Sequence, residues 1–212
     1  MNDHSFTFLR QVRLREMDMK KNKPKYKLIV DAAVKVIAQN GYHSSQVSKI
    51  AKEAGVADGT IYLYFKNKED ILVSVFEDKM GQFIDQIAVA ISKRSSANEK
   101  LLTLIKMHFG QLAANRYLAI VTQLELRQSN LTLRREINAV LKPYLTVIDS
   151  IINEGMSDGI FRENLKVPLV RQMIFGTLDE TVTNWVMQEE KYDLVAQADD
   201  VHTLITTGLS FK

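Results

Sequence analysis

Between Ser44 and Lys68 the chain gathers short polar side chains, tyrosines and cations into one run, SSQVSKIAKEAGVADGTIYLYFKNK. Ser44, Ser45, Ser48 and Thr60 carry hydroxyls, Tyr62 and Tyr64 carry phenols, and Lys49, Lys66 and Lys68 carry ammonium groups. None of these is a nucleophile paired with a base, the arrangement that covalent catalysis requires. Hydroxyls and ammoniums suit phosphate oxygens instead and, from a helix laid in the major groove, base edges. Other groups with chemical potential are scattered. His4, His43, His108 and His202 show no H-x-x-x-H spacing, and the chain has neither a glycine-rich phosphate loop nor G-x-S-x-G. Asp179 and Glu180 form a carboxylate pair on an apolar stretch; such a pair serves a buried metal or polar site, caps a neighbouring helix or meets an arginine. The residues point away from an enzyme.

Short helices must present that run. Val47, Ile50, Ala51 and Ala54 follow i, i+3, i+4, i+7, one face of a helix, with Ser45 as a candidate cap. Gly55 supplies the left-handed residue that ends this helix and opens a tight turn. Beyond it Ile61 and Phe65 lie four apart and face inward, which places Asp58, Thr60, Tyr62 and Tyr64 outward. An upstream helix, residues 26–41, carries the stripe Leu28, Ile29, Ala32, Ala33, Val36, Ile37 and packs behind the pair. Charge follows the same division. Residues 1–70 hold 13 Lys and Arg against 8 Asp and Glu, whereas residues 71–212 hold 15 against 17. A basic head on a slightly acidic body is the electrostatic footprint of a DNA-binding module. A helical interaction protein without DNA, the rival reading, leaves Asp58–Tyr64 unexplained.

The segments Ile29-Val-Asp-Ala-Ala-Val, Asn40-Gly-Tyr and Val47 through Leu72 resemble the N-terminal domain of TetR-family transcriptional repressors. Thr122–Ser129 and Gln172–Val186 are similar to one branch of that family, which represses fatty-acid degradation genes in Gram-positive bacilli. The resemblance implies an all-α protein: an N-terminal three-helix helix-turn-helix domain at 23–69 and a helical ligand-binding and dimerisation domain at 70–212. Carried over position by position, it implies that Asp58, Gly59, Thr60, Tyr62, Leu63 and Tyr64 face bases and phosphates of a double-stranded operator. Lys68 then anchors a phosphate, and Ser44, Ser45 and Ser48 meet phosphates near a helix N-terminus. Leu63 stands where some relatives carry a second aromatic residue and suits a thymine methyl.

Hydrophobic content of 46% with 25% charged residues is ordinary for a globular protein of 212 residues, and no apolar run is long enough to cross a bilayer. The absence of cysteine excludes disulfides and thiolate metal sites, and suits a cytoplasmic protein. Residues 1–22 read as a flexible basic extension. Translation starting near Met19 and a genuine phosphate-contacting arm are its two readings, and the basic stretch 20–27 serves DNA on either.

After Lys68 the helical pattern restarts, with Asn67 as its N-cap and Leu72, Phe76, Met80, Phe83, Ile87 and Ile91 on one stripe. Further helices are expected at 99–113, 116–128, 131–155, 168–188 and 194–211. The last two spread or stripe their apolar residues in a way that implies a second buried face, and hence a homodimer through a two-fold four-helix interface. In the middle helices Phe109, Tyr117, Leu124 and Tyr144 can line an interior, with Met173 and Trp185 from the later helix. Arg127 can hold an anion at the mouth of such a cavity or pair with Glu125 and nearby carbonyls; Arg171 is a second candidate. The residues alone specify an apolar ligand, with or without an anionic group. The branch resemblance implies a long-chain fatty acyl-CoA effector and no cofactor, metal or membrane; the alternative is a TetR-type repressor that answers to another hydrophobic ligand.

Overall fold

The computed structural model describes residues 24–210; the basic extension predicted for 1–22 lies outside them. Among the described residues every regular element is helical. They are α1 (Tyr26–Asn40), α2 (Val47–Glu53), α3 (Asp58–Tyr62), α4 (Lys68–Ile91), α5 (Ala97–Ala113), α6 (Arg116–Glu125), α7 (Leu131–Ser157), α8 (Val167–Met187) and α9 (Ala198–Leu209), with a 3₁₀ turn at Val195–Gln197 before α9. Two compact units divide between Val75 and Phe76, inside α4.

The first unit is built around α1. Ile29, Ala32, Ala33, Val36 and Ile37 are buried as the stripe predicts, but Leu28 is exposed and Tyr26, Val30 and Val34 are buried too. A helix with partners on several sides buries more than one stripe. Ile50 and Ala51 of α2, Ile61 of α3, and Ile71, Leu72 and Val75 of α4 complete this core. Phe65 stacks on Tyr26 with ring centroids 5.5 Å apart.

In the second unit α5 packs against α6, α7, α8 and α9, and its Leu101, Leu104, Ile105 and Phe109 are fully buried. Caps fix the ends and explain where the predicted spans shift. Ser96 accepts from the Glu99 amide at 3.3 Å, so α5 begins at Ala97 rather than Glu99. Asn130 accepts from Thr132 and Leu133 at 2.9 and 3.1 Å and starts α7, which leaves α6 to end at Glu125, short of Gln128. α7 runs through Pro143, which has no N–H for the Ala139 carbonyl. Burial of Ile137, Tyr144, Ile148 and Ile152 on its inner face offsets that loss. Near its end Gly155 is required: a Cβ there would fall 2.1 Å from the buried Phe161 ring.

Candidate DNA-reading surface and effector cavity

The turn between α2 and α3 is set by backbone chemistry. Gly55 has φ of +67°, its amide donates to Lys52 O at 3.2 Å, and the Val56 amide donates to Ala51 O at 3.0 Å. This doubly closed end satisfies two carbonyls of α2 and aims α3 outward. Ser44, Ser48, Asp58 and Gly59 are exposed and Thr60 is half-buried. Tyr62 and Leu63 are 60% and 70% exposed, a large cost in unburied apolar surface. His43, Ser48, Asp58, Tyr62 and Lys68 border one open depression.

Two residues predicted to face DNA turn inward instead. Tyr64 is buried. α3 ends at Tyr62, and the Tyr64 amide donates to Ile61 O at 3.0 Å, so the helical periodicity that would carry Tyr64 outward has already stopped. Ser45 is also buried, and its hydroxyl approaches Gly41 O at 2.8 Å and Val36 O at 3.2 Å. It ties off the end of α1; the cap position of α2 belongs to Gln46, which makes no side-chain cap bond. Lys68 donates to Tyr42 O and His43 O at 3.1 and 3.0 Å and lies 4.6 Å from the Tyr42 ring centroid. An ammonium has three donors, so it braces the loop before α2 and keeps one for another acceptor. Asn67 caps α4 as predicted, accepting from the Asp70 amide at 2.8 Å.

The second unit encloses a narrow cavity with about 590 Å³ of empty space including its mouth. Phe76, Met80 and Phe83 of α4 form one wall, and Leu112, Leu118, Leu126, Leu141 and Phe175 come from α5, the α6 region, α7 and α8. Walls of this kind suit a hydrocarbon. Polar groups are few. His108 and Gln111 lie on α5; Lys79 of α4, Thr122 and Gln123 of α6 and Asp179 of α8 stand elsewhere in the lining. His108 Nδ1 is 3.0 Å from Tyr144 Oη. Burial lowers the His108 pKa to about 4 and pushes the Tyr144 phenol up, so both are neutral near pH 7.

Asp179 is buried and forms an ion pair with Arg127, whose side chain remains largely exposed. With its amide nitrogen toward α8, Gln123 donates to Asp179 O and Oδ1 at 3.1 and 2.9 Å. Arg127, predicted to hold an anion or to pair with Glu125 and nearby carbonyls, meets the Asp179 carboxylate of α8. Glu125 instead accepts from Gln128 Nε2 at 2.6 Å, and the arginine compensates a buried carboxylate in the cavity wall.

Of the apolar residues predicted for the ligand, only Tyr144 lines the cavity. Phe109 is core that does not reach it, while Tyr117 and Leu124 point away from the interior at 38% and 47% exposure. Met173 lies on the outer face of α8. Trp185 is buried and donates to Tyr192 O at 2.9 Å. Arg171 is held by Asp149 at 2.6 Å. Helical spacing marks Phe76, Met80 and Phe83; it does not mark Leu118, Leu126, Leu141 or Phe175 as lining, which three separate segments bring together. Among the described residues no cluster of His, Asp and Glu is arranged to hold a metal ion, and no helix is long and apolar enough to cross a membrane.

A reading head followed by a helical body with an apolar cavity defines a class of bacterial transcriptional regulator. Residues 29–75 match the bacterial regulatory proteins of the tetR family, and residues 76–208 match the YsiA-like protein C-terminal region. The chain belongs to the TetR family. It is 61% identical over 194 residues, 92% of this chain and all of the relative, to the fatty acid metabolism regulator protein of Bacillus subtilis strain 168. Two solved structures are similar at TM-score 0.85, each covering 87% of this chain and all of theirs. One is the fatty acid degradation regulator FadR from Bacillus halodurans, 59% identical. The other is FadR from Bacillus subtilis in complex with stearoyl-CoA, 62% identical. The close relatives are thus regulators of fatty acid metabolism.

Proposed function

We propose that this chain represses fatty-acid degradation genes from the cytoplasm, as a homodimer that leaves its operator when a long-chain acyl-CoA fills the second unit. The observation that carries the reading is the apolar cavity, present in a chain 62% identical to a regulator solved with stearoyl-CoA. Phe76, Met80 and Phe83 give the acyl chain its wall, and the coenzyme moiety stays outside among exposed cations such as Arg134, Arg135 and Lys142.

Ser44, Ser48, Asp58, Gly59, Thr60, Tyr62 and Leu63 make the operator surface, with the third donor of Lys68 on a phosphate. Ser45 and Tyr64 hold that surface from behind. The dimer forms through α8 and α9. Leu169, Met173 and Leu204 are exposed apolar residues there, and Leu169, Met173, Gly176 and Thr177 border one shallow groove along α8. Exposed apolar side chains, here interspersed with Gln172, Glu180 and Thr181, are expected at an interface between identical subunits.

Control runs through α4. Its Ile71, Leu72 and Val75 belong to the head's core, and its Phe76, Met80 and Phe83 belong to the cavity wall. A ligand that displaces this wall alters the spacing of two heads, which must match roughly one DNA turn, ~34–36 Å, or a multiple. The ligand must bind the released form more tightly, since equal affinity shifts nothing. A gel shift with genomic fragments, with and without stearoyl-CoA, tests this. Retention of a specific fragment that the ligand releases supports it, and failure to retain any specific fragment refutes it.

A further inference from the structure

Among the described residues, two buried polar atoms in the cavity wall have no hydrogen-bond partner: His108 Nε2 and Gln111 Oε1. The residues are three apart on α5 and so share one face of the helix. The walls around them are mostly apolar, and an unmatched polar group buried there is costly unless something completes it. We propose that His108 and Gln111 form a polar notch that hydrogen-bonds the carbonyl oxygen of the ligand's thioester, so that the cavity reads the acyl linkage as well as the hydrocarbon. The inference rests on the acyl-CoA reading above.

Hydrogen-bond accounting fixes the donor. Among the described residues, the hydrogen-bond partner of the Tyr144 hydroxyl is His108 Nδ1. If Nδ1 carried the proton, the phenol hydrogen and the Nε2 lone pair would both be left without partners. If the phenol donates to Nδ1, only the Nε2–H remains unmatched, which is the smaller loss. The ring is neutral at ordinary pH because burial lowers its pKa to about 4. Tyr144 is therefore a positioning residue that aims an N–H donor from His108 into the notch. The Gln111 amide can turn to present its NH₂ beside it. A carbonyl oxygen accepts two such bonds, whereas the methylenes of an acyl chain accept none. The aromatic rings of Phe83 and Phe109, with centroids 6.0 Å from that of His108, restrict its ring motion.

The test compares stearoyl-CoA with its S-octadecyl thioether, in which a methylene replaces the carbonyl, by calorimetric titration of the full chain. The wild type is expected to bind the thioester about tenfold tighter, the usual scale for leaving a buried hydrogen-bonding group unmatched. In His108→Leu the ratio of the two affinities should fall close to one, and damage to the cavity that affects both ligands cancels in that ratio. Tyr144→Phe, which keeps the ring and removes only the hydroxyl, should lower the ratio as well and serves if His108→Leu does not fold. Equal affinities in the wild type, or an unchanged ratio in the variant, would overturn the notch while leaving the effector reading intact. Binding of neither ligand would overturn the effector reading and the notch with it.

Discussion

The reading head and the effector body solve opposite problems with the same material. The head keeps its core in residues that the chain places close together and turns its working groups outward; Tyr62 and Leu63 are exposed while Ile61 between Thr60 and Tyr62 is fully buried. The body's cavity is instead enclosed, a space between α4, α5, α6, α7 and α8. An outward site needs a few side chains on one short rigid element. An inward site needs many helices to agree, and no single residue in it is sufficient. Substitutions of the head's exposed groups should therefore remove function without touching stability, whereas substitutions in the body should move both.

The largest effect is expected at the head. Tyr62→Ala removes an exposed group with no role in the core, and each head loses about 2 kcal/mol of operator binding, ~4 kcal/mol for a dimer or roughly a thousandfold. Filter binding or anisotropy with operator DNA measures this; melting temperature and acyl-CoA affinity should stay unchanged. Loss of stability in Tyr62→Ala would break the contrast between the two regions.

The body supplies the next effect, through pH. His108 titrates near 4 when folded against about 6.5 when unfolded, so the unfolded chain binds the extra proton first as pH falls. Stability from this group is complete above pH 6.5 and is lost as pH drops from 6.5 toward 4, by about 3 kcal/mol in total. His108→Phe should flatten that part of the stability profile in urea unfolding relative to wild type, the carboxylates contributing equally to both. Identical slopes would place the imidazole in water.

A smaller effect separates two neighbours in the head. Ser45→Ala should cost about 1–2 kcal/mol of stability, because the hydroxyl serves the buried Gly41 and Val36 carbonyls. Ser44→Ala, at an exposed position, should leave stability unchanged and weaken operator binding only slightly. The smallest change lies at the end of α8, where Glu189 adopts φ of +55°. Glu189→Gly removes the crowding of its Cβ and should raise stability by about 1 kcal/mol, read as an upward shift in melting temperature.

These contrasts also explain what could be read in advance. The head was legible because its turn residue Gly55, its spacing Ile50-Ala51 and Ile61-Phe65, and its exposed groups all lie within one short segment. Tyr64 and Ser45 failed there because a five-residue helix stops before periodicity can be extrapolated, and because a loop hydroxyl has no periodicity at all. The body's helices were legible from their stripes, but the cavity was not. Met173 and Ile174 are consecutive apolar residues on α8, yet one is exposed and the other buried, and only the neighbouring helices decide which. Arg127 meets Asp179, 52 residues away, a distance over which sequence spacing carries no information.

The central claim is that occupancy of the body's cavity sets the affinity of the head for DNA. Coupling of that kind is reciprocal. The direct measurement is the dissociation constant of operator DNA with and without saturating stearoyl-CoA, together with that of stearoyl-CoA with and without saturating operator. The account predicts that each ligand weakens the other by the same factor, on the order of 10-fold or more, a coupling of about 1.4 kcal/mol at least. A factor of one in both directions, with each ligand binding normally, would contradict it.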